Sequence, residues 1–72
     1  MKKTINRKVY NTDTAIEVKR NTVSYFGDPA GYEEILYKTA KGAFFVYGVG
    51  GAESKYAEPD ITPVTEEEAE QF

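Results

Sequence analysis

The sequence predicts a small, β-rich α+β domain, in which an antiparallel sheet of three to five strands carries a short C-terminal helix on one face. Two aromatic-rich apolar runs flank Lys41-Gly42, a pattern typical of a β-hairpin. The residues Thr65 to Glu68 match a capping box, with threonine at the N-cap and glutamate three positions later. The two main predicted elements are a central hairpin over 32–39 and 43–49 and a helix over 65–72.

The composition indicates how so short a chain can hold a core. Its 72 residues make one small domain, residues 1–72, and a domain of this size buries only about 60% of the surface that its unfolded chain exposes. There is no cysteine for a disulfide and no histidine for a metal, so we expect no cofactor. Six tyrosines and four phenylalanines can each bury roughly 150–250 Å², which predicts an aromatic core.

The first part of the chain predicts short strands. Asn6-Arg7 lies between two stretches with apolar residues and suits a two-residue turn, because asparagine tolerates a positive φ, although arginine is unusual at the second position. Residues 15–23 alternate apolar and charged side chains, which predicts a strand with one solvated face. A short helical turn over 12–18 is the competing interpretation.

A predicted loop over 26–31 leads into the central hairpin, whose register follows from its turn. We expect a type I turn over Thr39 to Gly42, with Gly42 in the left-handed conformation. The pairs expected on one face are Thr39–Ala43, Tyr37–Phe45 and Ile35–Tyr47. Those expected on the other face are Lys38–Phe44, Leu36–Val46 and Glu34–Gly48. A slip of one residue would exchange the two faces.

The C-terminal part predicts a loop, an edge strand and the helix. The glycines of residues 48–51 end the regular strand or allow a close backbone approach, and Tyr56 is the expected anchor of the loop that follows. Pro63 lacks an N–H group, so its strand belongs at a sheet edge. We expect Ala69 and Phe72 of the helix to pack on the sheet face that carries Leu36.

The charges are unevenly distributed along the chain. Within a net charge of −3, residues 1–20 carry six basic and two acidic side chains, whereas residues 51–72 carry one basic and seven acidic side chains. Solvated surface with carboxylates at a helix start is one explanation of this pattern. A charged docking face is the other.

Catalytic chemistry is poorly supplied, so we expect that the protein is not an enzyme. The two serines, Ser24 and Ser54, have no histidine as a base. Glu33 and Glu34 are neighbours in a predicted strand and point to opposite faces, so they cannot act as a pair. The chain has no apolar run long enough to cross a membrane and no apolar segment after its first charged residues, which predicts a cytoplasmic protein.

Several motifs carry a resemblance: Tyr10-Asn11-Thr12-Asp13-Thr14-Ala15, Leu36-Tyr37-Lys38-Thr39, Phe45-Val46-Tyr47-Gly48, Ser54-Lys55-Tyr56-Ala57-Glu58 and Ile61-Thr62-Pro63-Val64-Thr65-Glu66-Glu67-Glu68-Ala69. With them the chain resembles small uncharacterised proteins encoded on phages and conjugative elements of Gram-positive gut bacteria. The resemblance covers most of the chain and implies a genetic context. Small acidic proteins of such elements often bind a host protein or an element protein, and some inhibit host defence.

These observations together predict a non-enzymatic protein-binding module of a phage or mobile element, with an inhibitor of a host nucleic-acid-binding or defence protein as the sharper form. The expected contact residues belong to an aromatic sheet face and an acidic helix, namely Ile35, Tyr37, Phe45, Tyr47, Glu66, Glu67 and Glu70. The aromatic face is expected to be partly exposed unless the N-terminal strands or a second subunit cover it. One alternative is single-stranded nucleic-acid binding by the same aromatic face, which the net negative charge disfavours. Another is a self-associating structural protein, such as a homodimer.

Overall fold

The computed structural model describes residues 1–24 and 28–72, so residues 26 and 27 of the predicted 26–31 loop lie outside the described part. The elements of that part are β1 (Lys2–Ile5), β2 (Lys8–Asn11), β3 (Ile16–Val23), β4 (Tyr32–Lys38), β5 (Phe44–Gly50), β6 (Asp60–Val64) and α1 (Glu66–Glu70). The β-rich α+β class is therefore confirmed.

The strands form two sheets: one of four strands, within the expected range of three to five, and a separate one of two strands that we did not expect. Strands β3 to β6 make a four-stranded antiparallel sheet in the order β3-β4-β5-β6, and β1 and β2 pair only with each other among the described residues. The turn at Asn6 and Arg7 closes β1 and β2 into a hairpin, with φ of 51° and 67° at its two residues. Both values are positive, as a type I′ turn requires.

The central hairpin has the predicted register. Tyr37 lies opposite Phe45, and Leu36 lies opposite Val46. The Gly42 N–H donates to the Thr39 carbonyl oxygen at 3.0 Å, and Gly42 has a φ of 86°, a left-handed conformation that glycine adopts without steric cost. The turn chemistry was thus sufficient to fix which side chains share a face.

Strand β3 confirms the strand interpretation of the alternating segment, but its predicted pattern of one solvated face is wrong. Ile16 and Val18 are 71% and 53% exposed, and all eight residues of β3 are exposed. The register shifts between Glu17 and Lys19, so a β-bulge at Val18 interrupts the alternation of side chains. The strand also lies at the edge of the sheet, where a single neighbour, β4, pairs with it.

The C-terminal helix begins as predicted and ends two residues earlier than the predicted range. The Thr65 side chain accepts from the Glu68 N–H and the Glu68 side chain accepts from the Thr65 N–H, which completes the capping box. The helix contacts β5, and the Lys19 ammonium donates to the Phe72 carbonyl oxygen at 2.6 Å. Leu36 and Val46 are buried on this face, which we call the helix face.

Candidate functional site

The predicted aromatic contact face is the core of the molecule. Phe45 is 0% exposed and Ile35 is 4% exposed. The ring of Tyr37 stacks on Phe45 at 5.2 Å, and the ring of Tyr10 from β2 meets Phe45 edge-on at 5.5 Å. Tyr47 is half-buried against the same cluster. The prediction of an exposed contact face is therefore wrong for Ile35 and Phe45, and Tyr37 and Tyr47 are half-buried. Cover by the N-terminal strands, which the sequence left open, is what the structure has, and we call this side of the sheet the hairpin face.

The N-terminal hairpin covers this face. Alternation along its two strands puts Ile5 and Tyr10 on the side that packs against the sheet. Tyr10 is buried and Ile5 is half-buried against the aromatic cluster, whereas Val9 points outward and is exposed. At the hairpin margin, the Lys3 ammonium donates to the Asp60 carboxylate at 2.6 Å. That hydrogen bond is the main cause that lowers the pKa of Asp60.

On the helix face, the far end of the sheet is covered by the loop after β5. The ring of Tyr56 lies so close to Gly48 that a Cβ atom there would stand 2.2 Å from Tyr56 Cε1. The Tyr56 hydroxyl donates to Glu34 Oε2 at 2.6 Å. Burial, followed by this bond to a carboxylate, raises the pKa of Tyr56. The expected anchoring role of Tyr56 is thus confirmed, and one glycine makes room for it.

A lysine completes this aromatic cluster. The Lys55 ammonium lies 5.0 Å from the centre of the Tyr32 ring and 5.2 Å from that of Tyr56, within the range of a cation–π interaction. It also lies 3.5 Å from Glu34 Oε2, and the two tyrosine rings meet edge-on at 5.6 Å. Lys55, Glu34 and the two tyrosines thus contact one another within the chain. Their contacts fix the loop after β5 on the sheet.

The predicted acidic residues are free of this packing. Glu66, Glu67 and Glu70 are exposed along α1, while the fourth helix glutamate, Glu68, is used by the capping box. The bond from Lys19 to Phe72 brings the end of the helix beside Lys19, which is paired with Leu36, whereas Tyr10 of the basic hairpin packs on Phe45. The exposed carboxylates of α1 and the four basic side chains of residues 1–11 therefore lie in different parts of the molecule, and Lys19 and Lys55 are basic side chains that contact the helix face.

The carboxylates of the central sheet are engaged with neighbouring side chains. Arg20 donates to Glu33 at 2.9 Å and to Glu17 at 2.8 Å, and the bond to Glu17 is the main cause that raises the pKa of Arg20. Thr22 also donates to Glu33, at 3.1 Å. In this arrangement the two glutamates serve as ion-pair partners on an exposed strand surface.

A surface cavity of about 500 Å³ lies between the loop before β4 and the glycines that end β5. Its described lining includes two carboxylates, Asp28 and Glu33. Asp28 accepts from the Ser24 hydroxyl and from the Ala30 N–H, and the Ser24 bond is the main cause that lowers its pKa. The lowered pKa of Asp28 favours its ionised form, so Asp28 is not set up as a general acid.

Residues 1–24 and 28–72 contain no group of three or more carboxylate, histidine or cysteine side chains placed to hold a metal ion. No helix in them is both long enough and apolar enough to cross a membrane.

Comparison of the chain with protein-family models, with curated proteins and with solved structures finds no match. Of the seven predicted contact residues, Ile35 and Phe45 are buried, Tyr37 and Tyr47 are half-buried, and the three glutamates of α1 are exposed. The sequence predicted β3 as a strand but not that both of its faces are exposed. The exposure of Ile16 and Val18 depends on the position of β3 at the sheet edge, which the sequence does not show.

Proposed function

We propose that this chain is a non-enzymatic protein-binding module of a phage or mobile element, and that its contact surface is the acidic face formed by Glu66, Glu67 and Glu70. The proposal keeps the acidic half of the predicted contact set. It gives up the aromatic half, because Phe45 and Ile35 are buried and a partner cannot reach buried rings.

The cluster of exposed carboxylates on α1, far along the chain from the basic N-terminal hairpin, is the observation that carries the proposal. Residues 1–11, which form the hairpin, contain four basic and no acidic side chains, and residues 65–72 contain four acidic and no basic ones. Surface charges more than about 10 Å apart are screened from each other at 0.1 M salt. A partner that approaches α1 itself therefore meets a locally negative potential in spite of the small net charge.

The acidic side chains also sit on a supported scaffold. The capping box fixes the start of α1, and the contact between Lys19 and Phe72 holds its C-terminal end near β3. Three carboxylates on one short, fixed helix lose less conformational freedom on binding than the same residues in a flexible tail would.

The partner that fits this surface is a protein with a basic groove. Acidic side chains that face a basic surface raise the association rate and disfavour acidic competitors. A nucleic-acid-binding protein of the host, such as a nuclease used in defence, offers such a groove, and the acidic face would occupy it in place of phosphates. We place this activity in the cytoplasm, where such proteins act.

The test is capture of a partner from host lysate with a matched pair of charge variants. Glu66→Gln, Glu67→Gln and Glu70→Gln combined removes three charges from α1 and leaves the capping box intact. The control removes three charges elsewhere, as Asp13→Asn, Glu53→Gln and Glu58→Gln, all at exposed positions. We expect the helix variant to lose capture by tenfold or more and the control to keep it.

Two results would overturn the proposal. Capture that survives the helix variant would show that another surface holds the partner. Equal loss in both variants would show that only net charge matters. A nucleic-acid competitor sharpens the experiment, because single-stranded DNA should displace this chain from a basic groove and should not bind the chain itself.

The alternative of single-stranded nucleic-acid binding is disfavoured, because the central ring of the predicted stacking surface is not accessible. Base stacking on a sheet requires exposed rings, and the ring at the centre of the predicted platform, Phe45, is sandwiched between Tyr37 and Tyr10. A gel shift with single-stranded DNA or RNA at low salt tests this alternative, and we expect no shift.

A further inference from the structure

The outer edge of β3 is the part of the surface that the proposed function leaves unused. Within residues 1–24 and 28–72 its backbone pairs with β4 alone, and all of its residues are exposed. An edge strand presents a row of N–H and C=O groups that can pair with another strand. We propose that β3 pairs with β3 of a second copy, so that the chain forms a two-fold symmetric dimer with one continuous sheet of eight strands.

The β-bulge limits where this pairing can run. The register shift between Glu17 and Lys19 interrupts the strand, whereas residues 19–23 pair with residues 32–36 without interruption. Residues 19–23 therefore form the regular part of the edge. Since opposite residues of two paired strands must point to the same face, a symmetric pair over 19–23 must be centred on a residue and not between two residues.

The charges then select one register. A pair centred on Lys19 or on Arg20 places like charges directly opposite each other, which is destabilising. A pair centred on Asn21 places Arg20 opposite Thr22 of the second copy and Lys19 opposite Val23 of the second copy. A centre at Thr22 or beyond leaves at most three opposed positions within β3. The register centred on Asn21 is the longest one without opposed like charges.

This register also makes favourable side-chain contacts. The aliphatic part of Lys19 would cover Val23 of the second copy, which is 37% exposed in the single chain. Arg20 would lie beside Thr22 of the second copy and one strand away from Glu33 of that copy, because Thr22 and Glu33 are opposite each other. The guanidinium would thus have carboxylates on both sides.

The other edge of the sheet explains why the assembly would stop at two copies. Strand β6 contains Pro63, which has no N–H group and is typical of an edge that does not pair further. In the dimer both outer edges are β6. A closed two-fold assembly therefore follows from one open edge and one blocked edge.

The inference does not depend on the proposed function, since its evidence is the edge of the sheet and not the acidic face. Its consequence for that function is geometric. A two-fold axis perpendicular to the sheet keeps each face on its own side, so both α1 helices would lie on one side and both hairpins on the other. Each dimer would then present two acidic helices to a partner.

The test uses the purified chain without any partner, so its failure leaves the acidic-face proposal untouched. Sedimentation should give twice the 8.1 kDa mass of the chain. The chain has no cysteine, so Asn21→Cys introduces a single thiol, and in the dimer the two thiols face each other across the axis, where opposite Cβ atoms lie about 4.5–5.5 Å apart. A short thiol cross-linker should join them rapidly. The control, Thr62→Cys, places a thiol on the exposed part of β6 and should cross-link slowly.

A pair of variants with opposite charges at residue 21 tests the register. Because the variants are compared alone and mixed, a loss of association caused by misfolding can be told apart from charge repulsion. Asn21→Lys and Asn21→Glu each place like charges at the axis, and each variant alone should self-associate at least tenfold more weakly. An equimolar mixture should recover association as a mixed dimer. A wild-type chain that stays monomeric at about 1 mM, equal cross-linking of the two cysteine variants, or a mixture no tighter than its components would overturn the proposal.

Discussion

The two faces of the central sheet are both covered, but by different means. On the hairpin face, apolar rings from two sheets interlock around Phe45, which has no exposed surface. On the helix face, a loop and a five-residue helix cover the sheet with polar contacts, such as the bond from Tyr56 to Glu34 and the bond from Lys19 to Phe72. Among the described residues, the first face contains four of the six buried apolar side chains, and the second carries the exposed carboxylates of α1.

This difference indicates that, in so small a chain, the residues that stabilise the fold and the residues available to bind a partner are different ones. A 72-residue domain cannot leave its main aromatic cluster exposed for a partner, because the folded state would lose too much of its apolar burial. Binding surface must therefore come from groups that the core does not need. The exposed glutamates of α1 and the outer edge of β3 meet this condition.

The largest expected effect is on the hairpin face. Phe45→Ala should lower the free energy of unfolding by about 3–5 kcal/mol, as is typical when a buried aromatic ring is removed, and this is a large fraction of the total stability of a small domain. Denaturant unfolding measures the change. Val9→Ala on the outer side of the hairpin, where the side chain is 55% exposed, should cost less than about 0.5 kcal/mol. Similar losses in both variants would contradict the assignment of the core.

Gly48→Ala tests the fit between loop and sheet on the helix face. The new Cβ would stand 2.2 Å from Tyr56 Cε1, so the ring must move, and we expect a loss of about 1–3 kcal/mol. In the double variant with Tyr56→Ala the clash is gone, so the two losses should not add. Additive losses in a double-mutant cycle would mean that Tyr56 does not pack on Gly48.

Tyr56→Phe removes only the hydroxyl that bonds Glu34, and we expect a loss of about 1 kcal/mol at neutral pH. The pKa of Tyr56 is raised above its ordinary value of 10.0. This contribution is therefore fully present below pH 10 and declines as the pH rises through the higher pKa of the folded state. Burial raises the pKa of Tyr37 as well, so spectroscopic titration should show Tyr56 among the tyrosines that ionise late. Tyr56→Phe should remove absorbance change from the late part of the curve, and a loss from the early part instead would refute the assignment.

The smallest effect should be at the margin of the hairpin face. Lys3 and Asp60 are 41% and 49% exposed, so Lys3→Gln should cost only about 0.2–1 kcal/mol, and less at high salt. The pKa of Asp60 is lowered from 3.8. Stability from this pair is thus present above that value and is lost as the pH falls through the lower pKa of the folded state. The free energies of unfolding of wild type and variant should become equal at that low pH. A difference between them that persists at the lowest pH would contradict the pairing.

The features that could be predicted from the sequence are those set by local chemistry. The turn at Gly42 fixes the register of the central hairpin, Thr65 and Glu68 fix the start of the helix, and Pro63 places its strand at an edge. The alternation of side chains also sorted Tyr37 and Phe45 onto one face, because that division follows from the backbone alone.

The features that could not be predicted depend on contacts between distant segments. Alternation sorts rings into layers but does not say which segment covers a layer, so the role of Tyr10 in closing the aromatic face was missed. The pairing of Gly48 with Tyr56 joins a strand to a loop and leaves no local pattern. The β-bulge at Val18 has no sequence signal of its own. For the candidate site, the sequence shows which residues are charged, but not that Phe45 and Ile35 are buried while the glutamates of α1 are exposed.

The measurement that tests the central claim most directly is the contact between the hairpin and the sheet in solution. The account predicts strong nuclear Overhauser effects between the ring protons of Tyr10 and Phe45, whose centres lie 5.5 Å apart, together with slow hydrogen exchange along β5. Absence of those effects, with the Phe45 ring open to a soluble paramagnetic probe, would contradict it. The aromatic face would then be available to a partner, and the acidic helix would lose its place as the contact surface.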